Sequence, residues 1–574
     1  MKKTAFLLFL ICFFSKSHSQ NIQQNSSIFK SIPQEKIFVH YNTTFLLSGE
    51  QLLYKVYCLN SKTEKLTTLS KVAYVELIDK DFKVHFKHKV LLNSGLGQGD
   101  FFIPTTLKSG NYKIIAYTKW MKNGGENNFF QGDISILNPF ADNSQYLSKD
   151  KEIKNLETEK NNINDNSDII KLSLNKQEFK NREKVILQLD TDNNDILNGN
   201  YSLSVRKVGE FNIPRKQTTN TYQSLYNSKT LSKENSSKIY LPEFRGELIS
   251  GKIIHKDSKE AISDVNISIS IPGNDYIFKA SKTDNSGTFY FNIDKTYNSL
   301  KAVLEIDDKN KEDYEIILDE DTAIDYKNIV FSNFSISEQV KKSIEKRSVF
   351  NQIENAYNIK KQDSVKRYIN SDKFFGTNVY TYYLDDYTRF NTLKETLTEI
   401  TGNIYYSKKG SEYSIKILGV DFLYKNLKPL ILIDGIQILN HNDVIDFKTK
   451  QVNKIIVLQD NYVYGTKLYN GVVILETFKG DYSNLVSKSY QKNIDLFKPL
   501  VPKKYFKQNY DLGSQERIPD FRSQLFWQLD CKLSNRTNSY NFYTSDNVGL
   551  YEVSLEGFTK QGKPISLKTT FKVK

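Results

Sequence analysis

Residues 462–477, YVYGTKLYNGVVILET, place an aromatic-glycine turn ahead of a glycine-led run of β-branched and aliphatic residues. Tyr464-Gly465 reads as a hairpin turn, and Gly471 opens a run, Val472 to Leu475, that has the composition of a buried strand. A strand of this kind needs neighbours. Upstream, PLILIDGIQIL (429–439) is a continuous apolar run broken by Asp434-Gly435, and NKIIVLQD (453–460) is a second strand. Together they predict a small α+β sheet begun at LILIDG, its outer surface left open. The short helix expected before it, TLKETLTEI (392–400), puts Leu393, Leu397 and Ile400 on one side, and DVIDFKTKQV (443–452) reads as another short helix.

The remaining chain is read outward from this sheet. From Glu35 to Phe140, short apolar runs alternate with turns such as Leu47-Ser48-Gly49-Glu50 and Leu107-Lys108-Ser109-Gly110, which predicts an all-β sandwich. In KVAYVELID both faces of the strand are mostly apolar, as expected for a sandwich core. A polar stretch within 141–167 reads as a linker, and a second β region follows over 168–240, with Lys216 to Lys238 read as a loop. A third β unit occupies 241–330, its Asp284-Asn285-Ser286-Gly287 turn joining two strands. Residues 331–390 read as an amphipathic helix with Ile336, Val340, Ile344, Val349, Ile353 and Tyr357 on its apolar side, followed by a connection. The sheet described above falls in 391–482, and 483–574 reads as a closing sandwich that ends in three strands. The fold class is therefore mainly β: tandem antiparallel β-sandwich domains plus one small α+β domain.

Residues 1–19 have the form of a secretory signal, Lys2-Lys3 followed by the apolar run Ala5 to Phe14 and by Ser17-His18-Ser19, which leaves 20–34 as an N-terminal segment. Cys12 follows Ile11 rather than a small residue, which disfavours a lipid-anchored start. No other stretch approaches the length of a membrane-spanning helix, so an exported chain is expected, periplasmic or associated with the outer membrane. Loss of Lys2, Lys3 and Lys16, with no acids, takes the formal charge of the 574-residue chain from +14 to +11. Lysine dominates that excess, and nucleic-acid surfaces concentrate arginine instead, so no nucleic-acid partner is expected. Peripheral association with anionic lipid stays open.

Catalytic motifs are absent from the sequence. None of the six histidines starts a zinc-binding pattern, and His85 and His88, three apart in a strand, point to opposite faces. No phosphate loop or nucleophile elbow occurs. The adjacent pair Asp385-Asp386 suits a turn better than an acid/base dyad, whose members must converge across a cleft. The reading is a chain with no catalytic, metal or cofactor site. Cys58 and Cys531 are read as separate buried thiols.

Several stretches resemble known families. EKIFVHYNTTFLLSGEQLLYKVYCL…GDFFIPTTLKSGNYKIIAYTKW resembles the macroglobulin-like sandwiches of bacterial alpha-macroglobulin-type envelope proteins, and 169–208 looks like a diverged copy. GELISGKIIHKDSKEAISDVNISI…TDNSGTFYFNI is similar to the carboxypeptidase regulatory-like domain, which implies a sandwich without peptidase activity. PLILIDGIQIL…VNKIIVLQDNYVYGTKLYNGVVILETFKG resembles the plug domain of TonB-dependent outer-membrane receptors, with Asp434, Gly435, Tyr464, Gly465 and Gly471 at the motif positions. Asp434-Gly435 and Tyr464-Gly465 also suit ordinary turns in which glycine supplies a positive φ.

The departures matter as much as the matches. A macroglobulin trap uses a Cys-Gly-Glu-Gln thioester, whereas Leu-Asn-Ser follows Cys58 and Lys-Leu-Ser follows Cys531. A receptor barrel of about 22 strands needs several hundred residues, far more than follow the plug-like segment. The resemblances imply a non-catalytic exported protein that binds or scaffolds outer-membrane proteins. The alternative they leave is an accessory plug acting with a separately encoded barrel. An enzyme or peptidase inhibitor would need a site that these motifs do not supply.

Overall fold

Strand Asn200–Lys207 is paired on one side with Gln524–Cys531 and on the other with Gly549–Phe558, both antiparallel. This computed structural model describes residues 32–143, 146–148, 168–209, 216–227, 239–331, 335–337, 340–365, 374, 376–419, 427–482, 488–511 and 518–574. The signal segment 1–19, the N-terminal segment up to residue 31 and most of the 141–167 linker lie outside them. Mainly antiparallel sheets dominate, so the mainly β reading holds. The chain divides into two units: residues 1–244, 325–364 and 503–574 in the first, 245–324 and 365–502 in the second.

In the first unit, residues 35–137 form the sandwich expected from their turn spacing. One sheet is Glu35–Tyr41, Gln51–Asn60 and Leu96–Phe102; the other runs Phe45–Leu47, Phe130–Leu137, Gly110–Tyr117, Val72–Asp79, Val84–Leu91. Val72 through Ile78 are all buried, as the two-faced apolar pattern of that strand requires.

The second β region and the C-terminal region, expected as two domains, are one sandwich. Lys171–Leu174 and Lys184–Asp190 pair in a sheet with Thr537–Tyr543. Glu178–Phe179 and Asn200–Lys207 join a five-stranded sheet with Gln524–Cys531, Gly549–Phe558 and Pro564–Val573. A single core holds Val185, Leu187, Tyr201 and Leu203 together with Val553, Leu555, Ile565 and Phe571. The physical reason is that the few strands of 168–207 cannot close two sheets, so their free edges are completed from the end of the chain.

Two further expectations are corrected. Part of the stretch 216–238 is a helix, Thr219–Asn227, rather than a loop. Its Tyr222 and Tyr226, one turn apart, are both buried, and the backbone N–H and hydroxyl of Thr219 donate to buried Glu556 at 2.8 and 3.0 Å. Two tyrosines in a polar segment are too sparse a signal to read as an apolar face. The amphipathic helix is Lys341–Ala356, with Val340, Ile344 and Ser348 buried, whereas Val349 and Tyr357 are exposed. The buried line follows strict four-residue spacing, which Val349, Ile353 and Tyr357 break, Ile353 being only partly buried; Ile336 lies outside the helix, in a short strand paired with Leu147–Ser148.

A second line on that helix is polar. Arg347, Asn351 and Asn355, four apart, reach the turn at 48–50: Asn351 Nδ2 donates to the Ser48 carbonyl and Asn355 Nδ2 to the Gly49 carbonyl, both at 3.0 Å. Arg347 Nε and Nη2 grip Glu50 at 2.8 and 2.7 Å, and Arg206 Nη2 of the composite sandwich approaches it to 3.2 Å. Burial alone would raise the Glu50 carboxyl, but the two guanidinium groups outweigh it and hold the group below the usual carboxylate range. Glu50 thus joins three elements. Glu50→Gln leaves two largely buried guanidinium groups without a counter-charge and is expected to cost about 3 kcal/mol of the first unit's stability, read as a lowered urea midpoint for that transition.

Candidate functional site

The second unit contains residues 462–477. Its five-stranded sheet runs Val379–Tyr383, Val452–Leu458, Val472–Thr477, Leu430–Ile433, Ile436–Gln437, with Val472–Thr477 parallel to Leu430–Ile433 and the other neighbours antiparallel. The link from Val472–Thr477 back to LILIDG is therefore direct pairing, while Tyr462–Tyr464 and Lys467–Tyr469 pair with each other in a separate hairpin. Val379–Tyr383 lies in the region read as a connection but is an edge strand here. DVIDFKTKQV forms two short 3-10 turns, His441–Asp443 and Thr449–Gln451, instead of a helix. Asn440 caps the first through its side chain, and the apolar residues between, Val444 and Ile445, are buried in the core rather than set along one helical face. The expected helix does form over Leu393–Glu399, with a capping box between Thr392 and Glu395.

Alternation along the three central strands sends side chains into two different cores. Ile431, Ile433, Ile455, Val457, Val473 and Leu475 face Leu393, Leu397 and the hairpin Ile404–Lys409/Glu412–Ile417. Leu430, Leu432, Leu458, Val472 and Ile474 pack instead with Tyr276 and Phe278 of the third β unit and with Tyr469. The surface expected to be open is covered by the chain itself.

The third β unit is a sandwich of two sheets, Thr288–Ile293, Glu247–His255, Tyr314–Leu318 and Ile277–Lys282, Asn266–Ile271, Lys301–Asp307, Gln491–Asp495. Its last strand comes from the region expected to belong to the C-terminal sandwich. Residues 488–496 extend this sheet because Lys301–Asp307 would otherwise be a bare edge beside a buried core.

Each motif position has a definite task. Asp434 and Gly435, with φ of 48° and 89°, make the two-residue turn between paired Ile433 and Ile436. The buried Asp434 carboxylate accepts the Thr477 backbone N–H at 2.8 Å, the Thr477 hydroxyl at 2.6 Å and the Tyr482 N–H at 3.0 Å, tying the turn to the end of the parallel strand. Gly435 lies against Tyr276: a Cβ there would be 2.3 Å from the Tyr276 Cβ. Ser268 Oγ and Gln437 Oε1 are 2.7 Å apart beside it. Gly465, φ 62°, turns the hairpin Tyr462–Tyr464/Lys467–Tyr469 against Ala280, and Tyr464 donates to the Phe278 carbonyl at 2.5 Å with its ring stacked on Phe278. Burial pushes the Tyr464 phenol up to about 12. At Gly471, φ 83°, a Cβ would meet Ile417 and the Leu458 carbonyl at 2.5 Å. Asp434, Gly435, Tyr464 and Gly465 come together as the seam between sheet and sandwich, whereas Gly471 lies at the start of the parallel strand against Ile417 of the other core. Tyr276 and Thr477 are equally part of it, and nothing in their local sequence distinguishes them from other strand residues.

Other chemistry-bearing side chains are engaged structurally. His85 Nε2 meets Asp79 at 2.7 Å and His88 Nδ1 meets the Tyr54 hydroxyl at 2.7 Å, so the pair is split between separate partners. Asp385 is bound by Arg389 on a surface turn. Cys58 and Cys531 are free and buried, and burial pushes both thiols up, Cys531 to about 11, which removes thiolate reactivity. One constellation was not visible in the sequence: in the first unit Ser202 Oγ lies 2.6 Å from His40 Nδ1 and 2.8 Å from the Tyr57 hydroxyl. It has the partners of an activated nucleophile, yet all three residues have 0% exposure. Burial, aided by Lys216, Lys55 and Lys568, holds His40 well below its usual range, so the imidazole is neutral. Among the described residues no cluster of metal-ligating side chains occurs, and no helix is long and apolar enough to cross a membrane.

No family model matches the chain, and no curated protein matches it in sequence. Among solved structures it is similar to Escherichia coli alpha-2-macroglobulin activated by porcine elastase, at 10% identity and a TM-score of 0.24, over 94% of this chain and 44% of that one. A Salmonella alpha-2-macroglobulin aligns at 8% identity and a TM-score of 0.22, over 94% and 39%. An adhesin of Yersinia pseudotuberculosis aligns at 10% and 0.13, over 49% and 57%. The chain spans less than half the length of the alpha-2-macroglobulins, and superpositions this loose assign no activity.

The seam is testable by substitution. Asp434→Ala strands the buried N–H and hydroxyl of Thr477 and the partly buried N–H of Tyr482, for an expected loss of about 2–4 kcal/mol, seen as a lower melting transition of the second unit. Gly435→Ala, which adds a clash with Tyr276 to the strained φ, is expected to lose at least as much.

Two buried groups in this unit set opposite pH dependences. Burial lowers His441, whose Nδ1 accepts the Ile415 N–H at 2.8 Å, to about 4. Burial raises Glu305, which accepts from Gln491 Nε2 at 2.8 Å, to about 8. The unfolded chain protonates histidine near its model value of 6.5, so the His441 contribution is complete above that pH and is lost as pH falls toward 4. The Glu305 contribution is complete below its model value of 4.5 and is lost as pH rises through 8. His441→Asn is expected to flatten the acid limb of melting temperature against pH, and Glu305→Gln the alkaline limb.

Proposed function

We propose that this chain is a non-catalytic exported protein of the cell envelope, binding or scaffolding other outer-membrane proteins through its β-sandwiches and plug-like module. The observation that carries this reading is the occupation of both faces of the plug-like sheet by the chain's own residues, with Tyr276 and Phe278 over one and the helix and hairpin over the other. A module closed in this way offers edges and loops to a partner, the surfaces that recognition uses. The resemblances to macroglobulin-like, carboxypeptidase regulatory-like and TonB-receptor plug domains support the same setting. The engagement of His40, His85, His88, Asp385 and both cysteines in structural contacts supports a chain without chemistry of its own.

The alternative, a plug that gates a separately encoded barrel, has less support, because Gly435, Tyr464 and Gly465 are used against the sandwich of the same unit. Mild crosslinking in cells followed by purification from membranes is expected to recover one or a few envelope proteins in near-stoichiometric amount. Recovery of none would sink the proposal. Deletion separates the two readings: general envelope fragility fits a scaffold, and a defect confined to uptake of one nutrient fits a gate.

A further inference from the structure

In the second unit, Val379–Tyr383 (VYTYY) is the outer strand of the five-stranded sheet, and among the described residues no strand pairs with its far side. Four of its five residues are exposed, Tyr380 and Tyr383 by nearly half, and Tyr387 continues the aromatic surface. Exposed edges are ordinarily blunted by charge. The outer strands of the sandwich in this unit follow that rule: Ile277–Lys282 carries Lys279 and Lys282, Gln491–Asp495 carries Lys492 and Asp495, and Tyr314–Leu318 carries Glu315. Thr288–Ile293 is uncharged but exposes only Tyr290. The opposite edge of the five-stranded sheet, Ile436–Gln437, is uncharged but buried, and the uncharged hairpin strand Tyr462–Tyr464 exposes only Val463, so among these edges Val379–Tyr383 is the one that is uncharged and exposed along most of its length.

The strand is also held ready. At its start the Asp460 carboxylate accepts the Thr377 and Asn378 backbone N–H groups at 3.0 and 3.2 Å and Asn378 Nδ2 at 2.8 Å. In its middle the Tyr382 hydroxyl donates to Asn403 at 2.8 Å, and Lys454 Nζ stands 5.9 Å from the Tyr383 ring centre. At its end a 3-10 turn, Leu384–Asp386, buries Leu384, and Arg389 holds Asp385 while donating to the Thr449 and Val452 carbonyls. A rigid edge loses little entropy when another strand adds to it.

We propose that the occupant of this edge is a second copy of the chain, its Val379–Tyr383 added antiparallel about a two-fold axis through Thr381, so that two sheets become one. The near-symmetry of the strand argues for self-pairing: centred on Thr381, Tyr380 lies opposite Tyr382 of the second copy and Val379 opposite its Tyr383. Every cross-strand pair is then aromatic, β-branched or both, the pairs that stabilise antiparallel ladders, and no charge is buried. An isologous contact of this kind closes at two copies and does not propagate.

The chain from Gln20 onward is expected to show a reversible monomer–dimer equilibrium by sedimentation velocity over concentrations on the order of 1 to 100 µM. Thr381 is exposed, so Thr381→Lys and Thr381→Glu should keep the far-ultraviolet spectrum and melting temperature of the parent. Each places like charges opposite one another at the axis, and each alone is expected to weaken the dimer at least tenfold. An equimolar mixture sets Lys against Glu and is expected to restore a dimer. A parent chain that stays monomeric throughout, a Thr381→Lys chain that dimerises like the parent, or a mixture that remains monomeric would each overturn the proposal. None of these results bears on capture of a different envelope protein, which is read by the crosslinking experiment.

Discussion

The first unit depends on the pairing of Asn200–Lys207 between two strands that come late in the chain. Its residues Tyr201, Leu203 and Val205 are buried, and no local neighbour can satisfy both its edges. Closure entropy grows only logarithmically with loop length, so bringing together strands separated by about 300 residues costs little more than joining closer ones. Once that closure is made, the second unit, 245–324 and 365–502, lies in sequence between the strands that close the first. The chain leaves the first unit at 244, returns over 325–364, and leaves again until 503. The returning segment supplies the helix Lys341–Ala356, whose Arg347, Asn351 and Asn355 bind the turn at 48–50.

The second unit is organised by strand alternation. Period-two side chains on three central strands send one set toward the helix and hairpin and the other toward Tyr276 and Phe278. Close approach at the seam explains the small and positive-φ residues there. Gly435 leaves room for Tyr276, Gly465 for Ala280, and Asp434 links the turn to Thr477 and Tyr482 by three hydrogen bonds. A resemblance noticed as a motif of turns is, physically, a set of contacts between two layers of one unit. This is why those residues are better explained by packing than by a ligand.

Buried polar groups follow the same logic in the first unit. Ser202, His40 and Tyr57 form a short hydrogen-bonded chain in a sealed position, and Glu50 is compensated by two arginines. Such groups specify one arrangement of sandwiches, because any other would leave a charge or a hydroxyl without its partner. The proton affinities they acquire follow from burial at His40 and Tyr57 and, against burial, from the two arginines at Glu50. They are felt in stability against pH.

Strand-rich composition, turn glycines and two-faced apolar strands settled the mainly β class, the first sandwich and the small sheet joining residues 430–433 to 472–477, because those features are local and periodic. The Asp434-Gly435 and Tyr464-Gly465 turns were legible for the same reason: a positive φ restricts which residues can sit there. The union of 168–207 with 524–573 was not legible, since nothing along the chain records which edges meet after some 300 residues. The helix at 219–227 and the transfer of 491–495 to another sandwich were hidden alike, because short polar segments gain their structure from the surface they cover. Only the tertiary structure decided what covers each face of the five-stranded sheet and which of its strands is left bare, because burial is a property of neighbours in space.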